Sequence, residues 1–234
     1  MLKKIFLVVI ILVCPIFSVE KDQSVVCLHG FMGSPWNMSF LKKNLKKDGW
    51  DVVNWGYPSR DKYIRQHADE LVLELVNLSR KRPGKPIHFV THSMGSLVLL
   101  SALNNPNCPT EAKIGKIALI APPLKGASWG RWLGKFSFAR LIAKGFSGKE
   151  LMEKPNFDEL GNYPQSLDEI LVIAGNLGVN PFIKGRNDGM VAVEETDLPV
   201  PHKRVVLLRG HKTIIFSKKV CSLVCEFLRQ DTNN

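Results

Sequence analysis

The sequence holds no cysteine pair at metal-ligand spacing. Its five cysteines include no CxxC, and Cys221 and Cys225 stand four apart in a stretch that reads as helix. This excludes a zinc-ribbon module and a disulfide-dense mini-protein. The chain also lacks an apolar run of the ~20 residues that a comfortable bilayer span needs; the run after Lys3 and Lys4 stops at Val13. Acidic residues are scarce, 21 against 32 Lys and Arg, for a formal net charge of +11. Such a charge suits phosphate-rich surfaces but identifies no partner. There is no zinc-finger spacing, no basic region followed by heptads and no aromatic RNA-binding motif, so no nucleic acid is expected. The Gly-rich stretches lack a phosphate-loop Lys-Ser pattern, and His with Asp or Glu make no zinc motif, so no metal and no cofactor are expected. Internal repeats and low-complexity linkers are absent as well.

What is there is globular material. The 234 residues are 45% hydrophobic and 23% charged, with 18 Gly and 14 Pro. One α/β domain can use all of it and bury a large core. Residues 1–18 stand apart. Lys3 and Lys4, the apolar run Ile5 to Val13, and the close at Ser18 read as a secretory signal peptide, leaving 19–234 as the domain. The expected location is therefore periplasmic or secreted. Ile16 sits where a small residue is preferred, and an uncleaved membrane anchor is the alternative. Export would place the other four cysteines where disulfides are allowed, with pairing open; Cys27, in an expected central strand, reads as a buried thiol.

From residue 24 onward strands and helices alternate. Short apolar runs at Ser24 to Leu28, Asp51 to Trp55, Ile87 to Thr91, Lys116 to Ile120, Ile170 to Ala174 and Arg204 to Leu208 read as strands. Ser34-Pro35 starts a helix to about Lys47. Ile64, Ala68, Leu71, Leu75 and Leu78 form the stripe of a second, and Gly95 to Leu103 a third. Val220, Leu223, Val224, Phe227 and Leu228 stripe the last. The fold class is α/β, a mostly parallel central sheet with helices on both faces. Residues 121–169 are too long for an ordinary connection between two strands and read as an inserted cap.

Thr91-His92-Ser93-Met94-Gly95 lies between a strand and a helix, where a sharp turn pushes a serine hydroxyl above the sheet. Thr91 replaces the first Gly of G-x-S-x-G, and an ordinary N-cap serine is the bland alternative. A weak serine nucleophile needs a base and the base needs an acid, in the chain order Ser, acid, His. His211 follows the last strand and Asp188 the loop after the fifth, so both fall at the sheet edge of Ser93. Glu194, Glu195 and Asp197 are nearby alternatives for the acid. Oxyanion donors would come from the N–H groups of Met94 and of Phe31, in His29-Gly30-Phe31-Met32-Gly33. His29 reads as a structural hydrogen-bonding residue, and the His92 side chain is expected to turn away from the serine.

These segments, His29-Gly30-Phe31, Thr91 to Gly95, Asn187-Asp188-Gly189-Met190-Val191 and Gly210-His211, resemble the α/β-hydrolase superfamily, nearest its bacterial lipases and esterases. The resemblance covers about Val25 to Phe227. It implies Ser93 as nucleophile, His211 as base and Asp188 as acid, the roles reached above from spacing. The expected activity is hydrolysis of carboxylic esters, lipid esters among them, through an acyl-enzyme. Thioesterase, amidase and acyltransferase chemistry use the same triad, and a non-catalytic lipid- or partner-binding protein is the alternative of another class. In the cap, Trp129, Trp132, Leu133 and Phe136 recur at helical spacing, with Phe138, Leu141, Ile142 and Phe146 following. Six cations (Lys125, Arg131, Lys135, Arg140, Lys144 and Lys149) and no acid span the same stretch. Trp129, Trp132 and Phe136 are candidate substrate or lid residues. The cap reads either as a plain lid or as a surface that docks on anionic lipid. No protein partner is indicated.

Overall fold

The computed structural model describes residues 22–138, 146–164 and 169–230. The expected signal segment, residues 1–18, lies outside them, as do Arg140, Leu141, Ile142 and Lys144 of the expected cap. Six strands form one sheet: β1 (Ser24–Leu28), β2 (Asp51–Trp55), β3 (Ile87–His92), β4 (Ile117–Ile120), β5 (Ile170–Gly175) and β6 (Lys203–Leu207). Their order is β2-β1-β3-β4-β5-β6. Every pairing is parallel, with Val26 opposite Val53 and Phe89, and Thr91 opposite Leu119.

The parallel sheet requires cover on both faces, and alternation along each strand supplies two apolar surfaces. Val26 and Leu28 of β1, Phe89 of β3, Leu119 of β4 and Val172 of β5 face one core with α2 (Ile64–Lys81) and α3 (Gly95–Leu103). Val25, Cys27, Val90, Ala118, Ile120 and Ile173 face the other, with α1 (Ser39–Lys47) and the C-terminal helix Lys218–Arg229. The expected α2 stripe, Ile64 to Leu78, lies wholly in the first core. Cys27, Cys108, Cys221 and Cys225 are buried free thiols, and burial pushes Cys27 up to about 12.

The helix expected to start at Ser34-Pro35 begins as a 3-10 turn, Pro35–Met38, before α1. The Asn54 amide donates to the Pro35 carbonyl at 2.7 Å. That acceptor is drawn away from the helical ladder, so regular bonding starts one turn later. Among the described residues no helix is long and apolar enough to cross a membrane.

Candidate active site

The chain runs from β1 outward to β2, then crosses back to β3 on the other side of β1. The carboxyl ends of β1 and β3 therefore flank a topological switch point, where open α/β sheets form a crevice. Among the described residues three non-glycines have positive φ: Met32 (56°), Ser93 (52°) and Ala121 (49°). They follow β1, β3 and β4 at this one edge. Such conformations cost about 1–3 kcal/mol each and persist where surrounding structure over-determines them.

Ser93 is held by its own main chain, whose N–H donates to the Ile120 carbonyl at 2.9 Å. The turn is tight enough to fix its neighbours. A Cβ on Gly95 would stand 2.6 Å from the His29 carbonyl oxygen, and one on Gly30 would stand 2.9 Å from Ser93 Cβ. Thr91, where the G-x-S-x-G pattern has glycine, is fully buried in β3. Its hydroxyl shares a hydrogen bond with Ser96 Oγ at 2.7 Å. The departure from the pattern is thus a satisfied buried polar group that ties the strand to the first turn of α3.

His211 Nε2 lies 3.0 Å from Ser93 Oγ, and His211 Nδ1 lies 2.7 Å from Asp188 Oδ2. The other carboxylate oxygen of Asp188 accepts N–H bonds from Met190 (3.0 Å) and Val191 (2.8 Å). With this many donors the buried carboxylate is fixed in direction. The main-chain N–H of His211 also donates to the Asp188 carbonyl at 2.9 Å. The neighbouring acids are engaged elsewhere. Glu195 accepts from the Ser128 N–H and hydroxyl and from the Ala192 N–H. Asp197 pairs with Lys125 and Arg204, and the Lys125 bond holds its carboxyl below the usual range.

After β1 the Gly33 N–H bonds back to the Gly30 carbonyl at 3.1 Å, closing a turn with Phe31 and Met32 at its centre. The N–H groups of Phe31 and of Met94, at the start of α3, find no protein acceptor among the described residues. Beneath the turn, His29 Nδ1–H donates to the Gly30 carbonyl, its ring stacks on Tyr57 at 4.3 Å, and the Tyr57 hydroxyl donates to the His29 carbonyl. Burial lowers the pKa of His29, which keeps it neutral. The His92 side chain bonds to the loop of the base and not to the Ser93 hydroxyl. Its ring lies beside that of His211, centroids 4.9 Å apart, and its Nε2 reaches the His211 main-chain carbonyl at 3.0 Å.

Ser93 and His211 open into a cavity of about 640 Å³ whose other walls include Phe31, Trp129, Leu133, Leu151, Met152, Val191 and Ile215. Most of this lining is apolar. Among the described residues the segment expected to form a cap contributes the α-helices Ser128–Leu133 and Phe146–Glu153. Its ends are tied down. Ser128 is bonded to Glu195, Ser147 N–H to the Lys62 carbonyl (3.1 Å), and Glu150 accepts the Ile64 N–H at the start of α2 (2.7 Å). Phe157, Leu160 and Tyr163 belong to the main core. Trp129 lines the cavity, whereas Trp132 and Phe136 do not. Those two join an aromatic ladder at its side: Trp132 stacks on Trp129 (4.8 Å) and Phe182 (3.9 Å) and meets Phe136 edge-on (4.9 Å).

Of the six cations noted above, three are compensated, while Arg140 and Lys144 lie outside the described residues. Lys125 pairs with Asp197, Arg131 with Glu195, and Lys149 with Glu153. The acids come from other segments or just beyond the stretch, which a count along it missed. Phe182 was also missed, since it lies in an irregular loop between β5 and Asp188 and no periodicity marks it. The glutamate that ties Ser128 had no local signal either, because its partner is distant in sequence.

The sequence model of a family described as "Alpha/beta hydrolase family" matches residues 25–210. No curated protein matches the sequence. Among solved structures, a lipase of Bacillus licheniformis in its mature form superposes with a TM-score of 0.71 at 19% identity, over 88% of this chain and 91% of that one. An esterase of Pyrococcus furiosus gives 0.62 at 23% identity, over 89% and 81%. Phospholipase PlaB from Legionella pneumophila gives 0.62 at 13%, over 89% of this chain and 59% of its own. At these identities the likeness is one of fold.

Proposed function

This chain belongs to the alpha/beta hydrolase family, and from that premise we propose that it is a serine hydrolase of carboxylic esters with an apolar acyl group. The observation that carries the reading is the continuous Ser93–His211–Asp188 hydrogen-bond chain, with distances of 3.0 and 2.7 Å, opening into an apolar cavity. Ser93 Oγ attacks the ester carbonyl while His211 Nε2 takes its proton. Asp188 stabilises the imidazolium that forms and holds its orientation. The tetrahedral oxyanion accepts from the N–H groups of Phe31 and Met94. His211 then gives the proton to the departing alcohol, leaving an acyl group on Ser93. A water, activated by the same imidazole, releases the acid.

The apolar walls at Trp129, Leu133, Leu151 and Ile215 support an acyl chain over a polar group. The cap acts as the cover of that chain. In this reading the exposed aromatic side chains beside it, Phe138 at 62% and Phe182 at 52% exposure, meet the lipid surface from which substrate is drawn, with apolar contact contributing more than charge. The protein is exported with residues 1–18 as its signal.

A panel of ester and thioester substrates of graded acyl length tests the function. A kcat/KM that rises with chain length for oxygen esters supports it. Turnover of thioesters alone would move the assignment to a thioesterase, and no turnover of any member would defeat it.

A further inference from the structure

His92 is the residue before the nucleophile, yet its closest polar partner is on the base. Its Nε2 lies 3.0 Å from the main-chain carbonyl of His211. A carbonyl can only accept, so Nε2 carries the proton and the ring is the Nε2–H tautomer. The other main-chain group of His211, its N–H, donates to the Asp188 carbonyl at 2.9 Å. Both backbone polar groups of the base are thus fixed by the residues that flank it in the reaction, one from the acid and one from the elbow. His92 is itself confined. A Cβ on Gly30 would stand 3.2 Å from His92 Nδ1, so the ring is wedged against the oxyanion loop.

We propose that His92 is a positioning residue that sets the reach of His211 Nε2 toward Ser93 by holding the backbone of the base. The connections after β1, β3, β5 and β6 carry the reacting groups, and His92, the last residue of β3, bonds to the one after β6 and packs toward Gly30 of the one after β1. His92 stays neutral, held down to about 3 by burial first and then by the adjoining His211. The donor therefore persists at neutral pH. Without it the buried carbonyl is unpaired and the loop is free to shift. A misplacement near 1 Å can cost about 10²-fold in rate. The kinetic consequence rests on the hydrolase reading above, whereas the tautomer and the hydrogen bond do not.

The test compares His92→Phe, which keeps a flat ring and removes the donor, with His92→Gln, whose amide can donate from a similar reach. On a short soluble ester His92→Phe should lower kcat by about 10–100-fold, with KM within about twofold because a flat ring still lines that part of the cavity. His92→Gln should recover most of kcat. Full activity of His92→Phe would overturn the proposal. Equal damage in both variants would do so too, since ring shape and not the donor would then matter. Nitrogen NMR gives an answer independent of activity, and its tautomer reading on the wild-type protein is independent of variant folding. It should show His92 as the Nε2–H tautomer, with a downfield proton for the His211–Asp188 bond that weakens in His92→Phe. An Nδ1–H tautomer at His92 would refute the inference even if the ester panel succeeds.

Discussion

The two walls of the cavity are built differently. On the sheet side, Ser93, Asp188 and His211 sit just past strand ends or in the connection between β5 and β6 and are joined by hydrogen bonds of 2.7–3.0 Å, and glycines leave no room for a Cβ. On the facing side, the segment between β4 and β5 is tied at its ends by Glu195 and Glu150, and between those ties it presents aromatic rings to one another and to water. Chemistry needs atoms held to fractions of an ångström, and directional bonds supply that. Accommodating an acyl chain needs apolar area, which non-directional contacts supply without a fixed geometry. The molecule separates the two tasks by element.

That contrast can be broken from either wall. The largest effect should come from Ser93→Ala, which removes the nucleophile and should cut ester turnover by about 10⁶-fold, read in steady-state assays of a variant with an unchanged thermal transition. Asp188→Asn should follow, with kcat down about 10⁴-fold and KM little changed. Asp197→Asn is its control and should stay near wild type, because Asp197 pairs with Lys125 and Arg204 and not with the base. On the facing wall, Trp129→Ala should lower kcat/KM for long-chain esters by about 10-fold and leave short esters nearly untouched. This corresponds to about 1.4 kcal/mol of apolar contact. Trp132→Ala should do less, since Trp132 does not line the cavity.

The smallest effect concerns pH and stability. Burial lowers the pKa of His29, His67 and His92 below the ordinary histidine value of 6.5, His92 to about 3. The unfolded chain then binds protons that the folded one refuses, so stability falls as pH drops from about 6.5 toward 3. Tm should be about 5–10 °C lower at pH 4.5 than at pH 7.5. His92→Gln should flatten that slope.

The sequence made the sheet-side wall readable because its signals are local. Apolar runs of strand length, the Ser-x-Gly elbow and a His just past the last strand each lie within a few residues. The choice among Asp188, Glu194, Glu195 and Asp197 was not local, for it depends on which carboxylate a loop turns toward His211. The facing wall was readable only as an insertion with a helical aromatic stripe. Its partners, Phe182, Glu195 and Glu150, act from other segments or on distant ones, and pairing across the fold leaves no trace in spacing. His92 shows the same limit at short range: its neighbour in sequence is Ser93, but its hydrogen bond runs to His211, 119 residues away.

The central claim is that this sheet edge makes Ser93 a nucleophile. A fluorophosphonate probe on the folded wild-type protein, followed by peptide mass spectrometry, reads that directly. The account predicts one adduct on Ser93, lost in Ser93→Ala and slowed by orders of magnitude in Asp188→Asn. A folded protein that takes up no probe, or that carries the adduct on a different residue, would contradict it.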